Sequence, residues 1–151
     1  MESWRWEKSL GIACGVYKNY YLEKGYKMAL EKERTSRDYL FGRLLAVADS
    51  LEGFALSRAG EGRQTNAARM MQRFAEHPFS TWRTIDLSLI PYRARLGHKI
   101  AKYDKTISEI MDCFMADDFS NDKKLSGEFL LGFYTQRTEL MKSSKTNEGE
   151  K

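Results

Sequence analysis

Apolar residues recur along most of the chain at the three- and four-residue steps that line up one face of an α-helix, so the pattern predicts an all-α protein. The densest stretch is Tyr39 to Leu51, YLFGRLLAVADSL, where Leu40, Leu44, Val47, Ala48, Leu51 and Phe54 form one apolar face. Thr35, with Asp38 three residues on, reads as an N-cap with a shortened capping box, and Gly53 with Ser57 to Gly62 as the fraying end. Gly42 inside this helix costs roughly 1 kcal/mol of helix propensity relative to alanine, which points to a second backbone passing close by. The partner is read in Phe129 to Arg137, FLLGFYTQR, whose Gly132 repeats the aromatic/Leu-x-Gly pattern of YLFGR. These two helices are expected to cross glycine to glycine as a central pair.

The same periodicity predicts the other elements. Trp6, Leu10, Ala13, Tyr17 and Tyr20 give an amphipathic helix over residues 3 to about 23, ended by Lys24-Gly25. Thr65 or Asn66 caps a helix in AARMMQRFAEH, with Met70, Met71, Phe74 and Ala75 inward and Arg69 and Arg73 four apart on an outward face. Pro78 opens a helix marked by Phe79, Trp82, Ile85 and Leu89, which Pro91 kinks or breaks. From Tyr92 the row resumes through Leu96, Ile100, Tyr103, Ile107, Ile110, Met111 and Phe114, with Gly97 tolerated inside it. A last helix, about Lys123 to Ser143 and capped by Asn121 or Asp122, buries Leu125, Phe129, Leu130, Phe133 and Leu140. The organisation expected is one helical bundle of about five helices over 1–143, followed by a disordered polar tail over 144–151.

Composition narrows the class. With 42% hydrophobic residues and two prolines, the chain suits neither a disordered nor a loop-rich all-β protein. No apolar run approaches the roughly 20 residues that span a bilayer, and the N-terminus lacks a signal peptide's apolar core, so a soluble, cytoplasmic protein with no membrane contact is expected. Cys14 and Cys113 stand apart from any cysteine or histidine cluster and read as buried reduced thiols. The net charge of +4 is mild, but residues 58–105 carry ten basic and four acidic groups, whereas 106–122 carry five acidic and no basic ones. A basic block of this kind is the footprint of a polyanion partner.

Within it Arg95, Lys99 and Lys102 follow i, i+4, i+7 spacing on one stripe, in the same block as Arg69, Arg73, Arg83 and Arg93. Helix N-termini offer free N–H groups to phosphate, so Arg63, the Thr65 turn and Arg69 together form a candidate phosphate seat. No GxxxxGK[ST], GxGxxG, HExxH or GxSxG run occurs, and Asp117, Asp118, Asn121 and Asp122 do not follow the calcium-loop spacing. His77 reads as a turn residue and His98 as a surface group. No catalytic residue, metal or cofactor is therefore expected, although a nuclease fragment or a helical protein-interaction module stays open as a rival.

MALEKERTSRDYLFGRLLAVADSLEGFAL, TNAARMMQRFAEHPFSTW and LSGEFLLGFYTQR together resemble the C-terminal region of the large subunit of type I-C CRISPR Cascade, over roughly Tyr26 to Lys142. In that family the region is also made separately, from an internal start site, as the small subunit, and the chain resembles that product. The resemblance implies a non-catalytic helical bundle present in more than one copy, so that a neighbouring copy of itself is one partner and the Cascade backbone subunits and large subunit are others. It implies binding that stabilises the guide RNA–target DNA heteroduplex and the displaced non-target strand. It also singles out Arg43, Arg69 and Arg137, which lie inside the matching runs.

Overall fold

Every residue from Tyr39 to Ala48 is buried, so the helix that the sequence marks by one apolar face is in fact enclosed on all sides. The computed structural model describes residues 29–148, and the helix expected over residues 3 to about 23 lies outside them. Every regular element among the described residues is helical, as the periodicity predicts. The central helix α1 spans Arg37–Arg58, and α2 (Asn66–Arg69), α3 (Met71–Glu76), α4 (Pro78–Ser88), α5 (Ile90–Leu96) and α6 (Ala101–Asp112) follow it. A 3-10 turn, Gly97–Ile100, joins α5 to α6, and α7 spans Glu128–Glu148.

The glycine crossing is present. A Cβ on Gly42 would overlap the Phe129 carbonyl oxygen and stand 2.7 Å from its carbon and 2.8 Å from the Phe133 nitrogen. One on Gly132 would overlap the Tyr39 oxygen and stand 2.9 Å from the Tyr39 carbonyl carbon. Backbone thus rests on backbone, and polar side chains bolt the contact: the Tyr39 hydroxyl lies 3.0 Å from Thr135 Oγ1, and Arg43 Nε donates to Gln136 Oε1 at 2.9 Å. The two helices run the same way. Arg34 and Ser36 both donate to the Glu128 carboxylate at one end, while Phe54 and Met141 line a shared groove further along. A parallel pair obliges the chain between them to return, which α2 to α6 do.

Several boundaries differ from the sequence reading. Thr35 is not the cap of α1: Ser36 holds that position, and its hydroxyl bonds Glu128 instead of its own helix. Asp38 accepts from the Ser126 N–H at 2.8 Å, so the expected capping box is spent on tying α1 to the approach of α7. The helix runs through Gly53 and stops where Gly60, at φ 71°, lets the Gly60 N–H reach Ser57 O and the Glu61 N–H reach Leu56 O. The single helix expected over 67–77 is split at Met70, and the long row from Tyr92 is broken at Gly97, which takes φ 56° and ψ −128°. Pro91 does separate α4 from α5.

Neither Asn121 nor Asp122 caps the last helix. Asp122 caps α4 across the chain, accepting from the Phe79 N–H at 2.9 Å, the Ser80 N–H at 3.2 Å and the Ser80 hydroxyl. Arg37 holds the rest of that acidic loop by its carbonyls, donating to Asp118 O, Asn121 O and Lys123 O. Residues 123–127 then form a strap, fixed by the Leu125 N–H on Ala75 O at 2.7 Å, so that α7 begins at Glu128 and not at Lys123. It also continues past Ser143, where a polar tail was expected: the Ser143 and Ser144 hydroxyls return to Leu140 O and Thr146 to Lys142 O. Beneath the acidic loop the Phe41 ring meets Phe74, Phe114 and Phe119 at 5.8, 5.0 and 5.7 Å.

Candidate functional site

Cations from three separate segments converge on two rings. Phe54, half-buried near the end of α1, has the Arg58 guanidinium 5.9 Å and the Lys99 and Lys102 ammoniums 5.9 and 6.0 Å from its ring centre. Tyr92, buried on α5, has the Arg63 and Arg95 guanidiniums each 5.5 Å from its centre. Aromatic rings attract cations through their quadrupole and hold the long stems in place while the charged heads stay in water. Arg95, Lys99 and Lys102 reach this face around the Gly97 corner, not as a stripe on one helix. Arg58 was missed by the sequence reading, although its place four residues after Phe54 is a visible aromatic–cation spacing. Tyr92 shows a like spacing to Arg95, three residues on, but its Arg63 partner belongs to a distant loop and left no signal.

Charge pairing separates the available cations from the committed ones. Among the described residues Arg58, Lys99 and Lys102 pair with no carboxylate, and Arg63 and Arg95 have only long contacts to Glu61, at 3.6 and 3.5 Å, and from Arg63 to Glu52 at 3.4 Å. Arg93 is different. It joins Asp86 on α4 to Asp104 on α6 at 3.0 and 3.1 Å, so this expected contact residue is a clamp within the bundle. Arg43 is only 4% exposed, burial pushes its guanidinium's pKa down, and its partner is Gln136. Arg137 lies half-buried in the groove beside Asp49. Arg69 and Arg73 are exposed on α2 and α3, Arg69 bonding the Asn66 side chain. Arg83 lies over Phe79, which packs on Phe119 and so on Phe41, about 20 Å from Phe54 along α1 at the helical rise per residue.

The phosphate seat expected at Arg63, Thr65 and Arg69 is already filled. Glu52, wholly buried, accepts the Asn66 N–H at 2.8 Å, and the Thr65 hydroxyl accepts the Ala68 N–H at 3.1 Å and donates to Asp49 at 2.5 Å. A carboxylate from the chain itself occupies the place an external anion would take. Burial pushes the Glu52 carboxyl's pKa upward, against the opposing pull of the Asn66 N–H and Arg63. Asp49 is raised for the same reason. A folded state that holds its proton more tightly than the unfolded chain loses stability as pH rises from the ordinary carboxylate value, about 4, toward the raised one. Glu52→Gln keeps the acceptor for Asn66 without the charge. The variant is therefore expected to gain on the wild type as pH is raised from about 4 to 7, read as the difference between their denaturant midpoints; a gap that does not change with pH contradicts the assignment.

The groove between α1, α2, α6 and α7 has a volume of about 670 Å³, with Phe54, Tyr103 and Phe133 among its apolar lining and Asp49, Arg63 and Arg137 among its charged groups. Among the described residues no three of histidine, cysteine, aspartate and glutamate stand together as metal ligands, and no helix is long and apolar enough to cross a membrane. His77 and His98 are both exposed, and Cys113 is half-buried, its thiol 3.2 Å from Glu109 O. No curated protein matches the chain. One protein family's model does match, over residues 4–141, and its description is CRISPR-associated protein (Cas_Csd1).

Proposed function

The chain belongs to the CRISPR-associated Cas_Csd1 family, and from that premise we propose that it is the non-catalytic small subunit of a type I-C Cascade complex. In this reading it binds nucleic-acid backbone, steadying the guide RNA–target DNA heteroduplex and the displaced strand, while its other faces meet the backbone subunits, the large subunit and a neighbouring copy. The observation that carries the reading is the gathering of Arg58, Lys99 and Lys102 around Phe54, with Arg63 and Arg95 beside them on Tyr92. Cations assembled from three segments, three of them without a carboxylate partner among the described residues and Arg63 and Arg95 with only long contacts, suit a polyanion. Phosphate contacts of this kind position a strand without reading its sequence.

The test is a salt titration of the purified chain against single strands and RNA–DNA hybrids of unrelated sequences. Affinity should be the same across sequences and fall steeply with salt. An absence of salt-sensitive binding to any of them would overturn the reading. One observation favours a second reading, a protein-interaction module: Leu87 and Ile90 are 67% and 59% exposed at the α4–α5 bend, an apolar pair suited to a neighbouring subunit. Capture by the backbone subunits with no oligonucleotide binding would support it.

A further inference from the structure

Glu61 stands between the two arginines on Tyr92. Its Oε2 lies 3.6 Å from Arg63 Nε and its Oε1 3.5 Å from Arg95 Nη1, so one carboxylate spans both guanidiniums. We infer that Arg63 and Arg95 form a two-arginine clamp for one backbone phosphate, and that Glu61 occupies that phosphate's seat in the free chain. The inference rests on the backbone-binding reading and adds a specific site and its resident competitor to it.

Three features support the exchange. The clamp is preformed, because Tyr92 is 7% exposed and both guanidiniums pack at 5.5 Å from its ring, which holds them without using their N–H donors. The carboxylate is weakly held: both contacts are at the long end of an ion pair, and the three side chains are 41 to 52% exposed, where such pairs contribute little. A backbone phosphate presents two charged oxygens that suit guanidinium forks as the carboxylate's do, and the strand carrying it would also meet Arg58, Lys99 and Lys102, which Glu61 does not. Finally, the latch is a surface side chain: Glu61 is 42% exposed, and its neighbours Gly60 and Gly62 carry no side chains to confine it. Glu61 differs in this from Glu52, which is fully buried and bonded to the Asn66 N–H.

Glu61→Gln in the whole protein should bind a single-stranded oligonucleotide roughly three- to tenfold tighter at low salt, since the phosphate no longer has to displace two weak pairs. Glu76→Gln removes the same charge from an exposed position that pairs with no cation among the described residues, and should leave affinity within about twofold. The gain at Glu61 should also disappear when Arg63 and Arg95 are both alanine, because the coupling resides in that contact. Equal gains from Glu61→Gln and Glu76→Gln, or a gain that survives loss of both arginines, would show a general charge effect and overturn the clamp alone. An unchanged affinity in Glu61→Gln, with salt-sensitive binding intact, does the same. If neither the wild type nor Glu61→Gln binds any oligonucleotide, the clamp and the backbone-binding reading fall together.

Discussion

Alanine at Gly42 or Gly132 is expected to destabilise the protein by about 3 kcal/mol, and leucine by more, because the added atom lands on main chain rather than on a movable side chain. Overpacking against a side chain is relieved by a rotamer change. Here the obstacles are the Phe129 and Tyr39 carbonyls, fixed by the hydrogen bonding of their own helices, so α1 and α7 must move apart. Separation would also stretch the Tyr39–Thr135 and Arg43–Gln136 contacts, leaving buried polar groups without partners. For a chain of this size the thermal midpoint should fall by about 10 °C. Gly53→Ala is the control in the same helix: its Cβ would meet only Thr65 Cγ2, at 3.8 Å, and the change should stabilise by about 0.5–1 kcal/mol. Opposite signs at Gly42 and Gly53 are the signature of the crossing; equal, small effects at both would refute it.

Reversing Arg58, Lys99 and Lys102 together to glutamate should weaken oligonucleotide binding about a hundredfold near 0.1 M salt. Each single-strand phosphate contact contributes about 0.7 to the slope of log affinity against log salt, so losing three flattens that slope by roughly 2, which at one decade below molar salt is two decades of affinity. The loss should be the same for every sequence. Folding should be unaffected, since Arg58, Lys99 and Lys102 are all exposed and pair with no carboxylate among the described residues. Arg83→Glu, on the side of the bundle where Phe79 and Phe119 pack toward Phe41, serves as the comparison. If a triple reversal at Arg69, Arg73 and Arg83 has the larger effect, the strand runs over α2 to α4 and the Phe54 face is not the interface.

The glycine crossing was legible in the sequence because its cause is local: a costly glycine inside an apolar helix, twice, in the same aromatic/Leu-x-Gly setting. The all-α architecture followed from periodicity for the same reason. Faces, by contrast, can be assigned by spacing only while a helix continues. The positive φ of Gly97 ends α5, so the i, i+4, i+7 register of Arg95, Lys99 and Lys102 has no meaning across it: Lys99 and Lys102 meet at Phe54 through tertiary placement, while Arg95 lies over Tyr92. Arg93, counted with the basic block, turned out to be held by Asp86 and Asp104. Caps failed in the same manner: Asp38 and Asp122 were read as serving their neighbours in sequence, yet each bonds a segment far along the chain, as does Ser36, which takes the place expected of Thr35. Short polar side chains at helix ends satisfy whichever backbone group packing delivers to them.

Because α1 and α7 lie side by side and parallel, the hydroxyls of Tyr39 and Thr135 meet across 96 residues of chain. During synthesis, at the usual 5–20 residues per second, the face that α1 turns toward α7 goes without its partner for about 5 to 20 s. Closing so long a loop adds little to the equilibrium cost, which grows only with the logarithm of length, but contacts this distant in sequence slow folding. The helix at the centre of the bundle thus leaves the ribosome ahead of the other described helices and is the last to be completed, and its apolar surface is most open to misassociation in that interval.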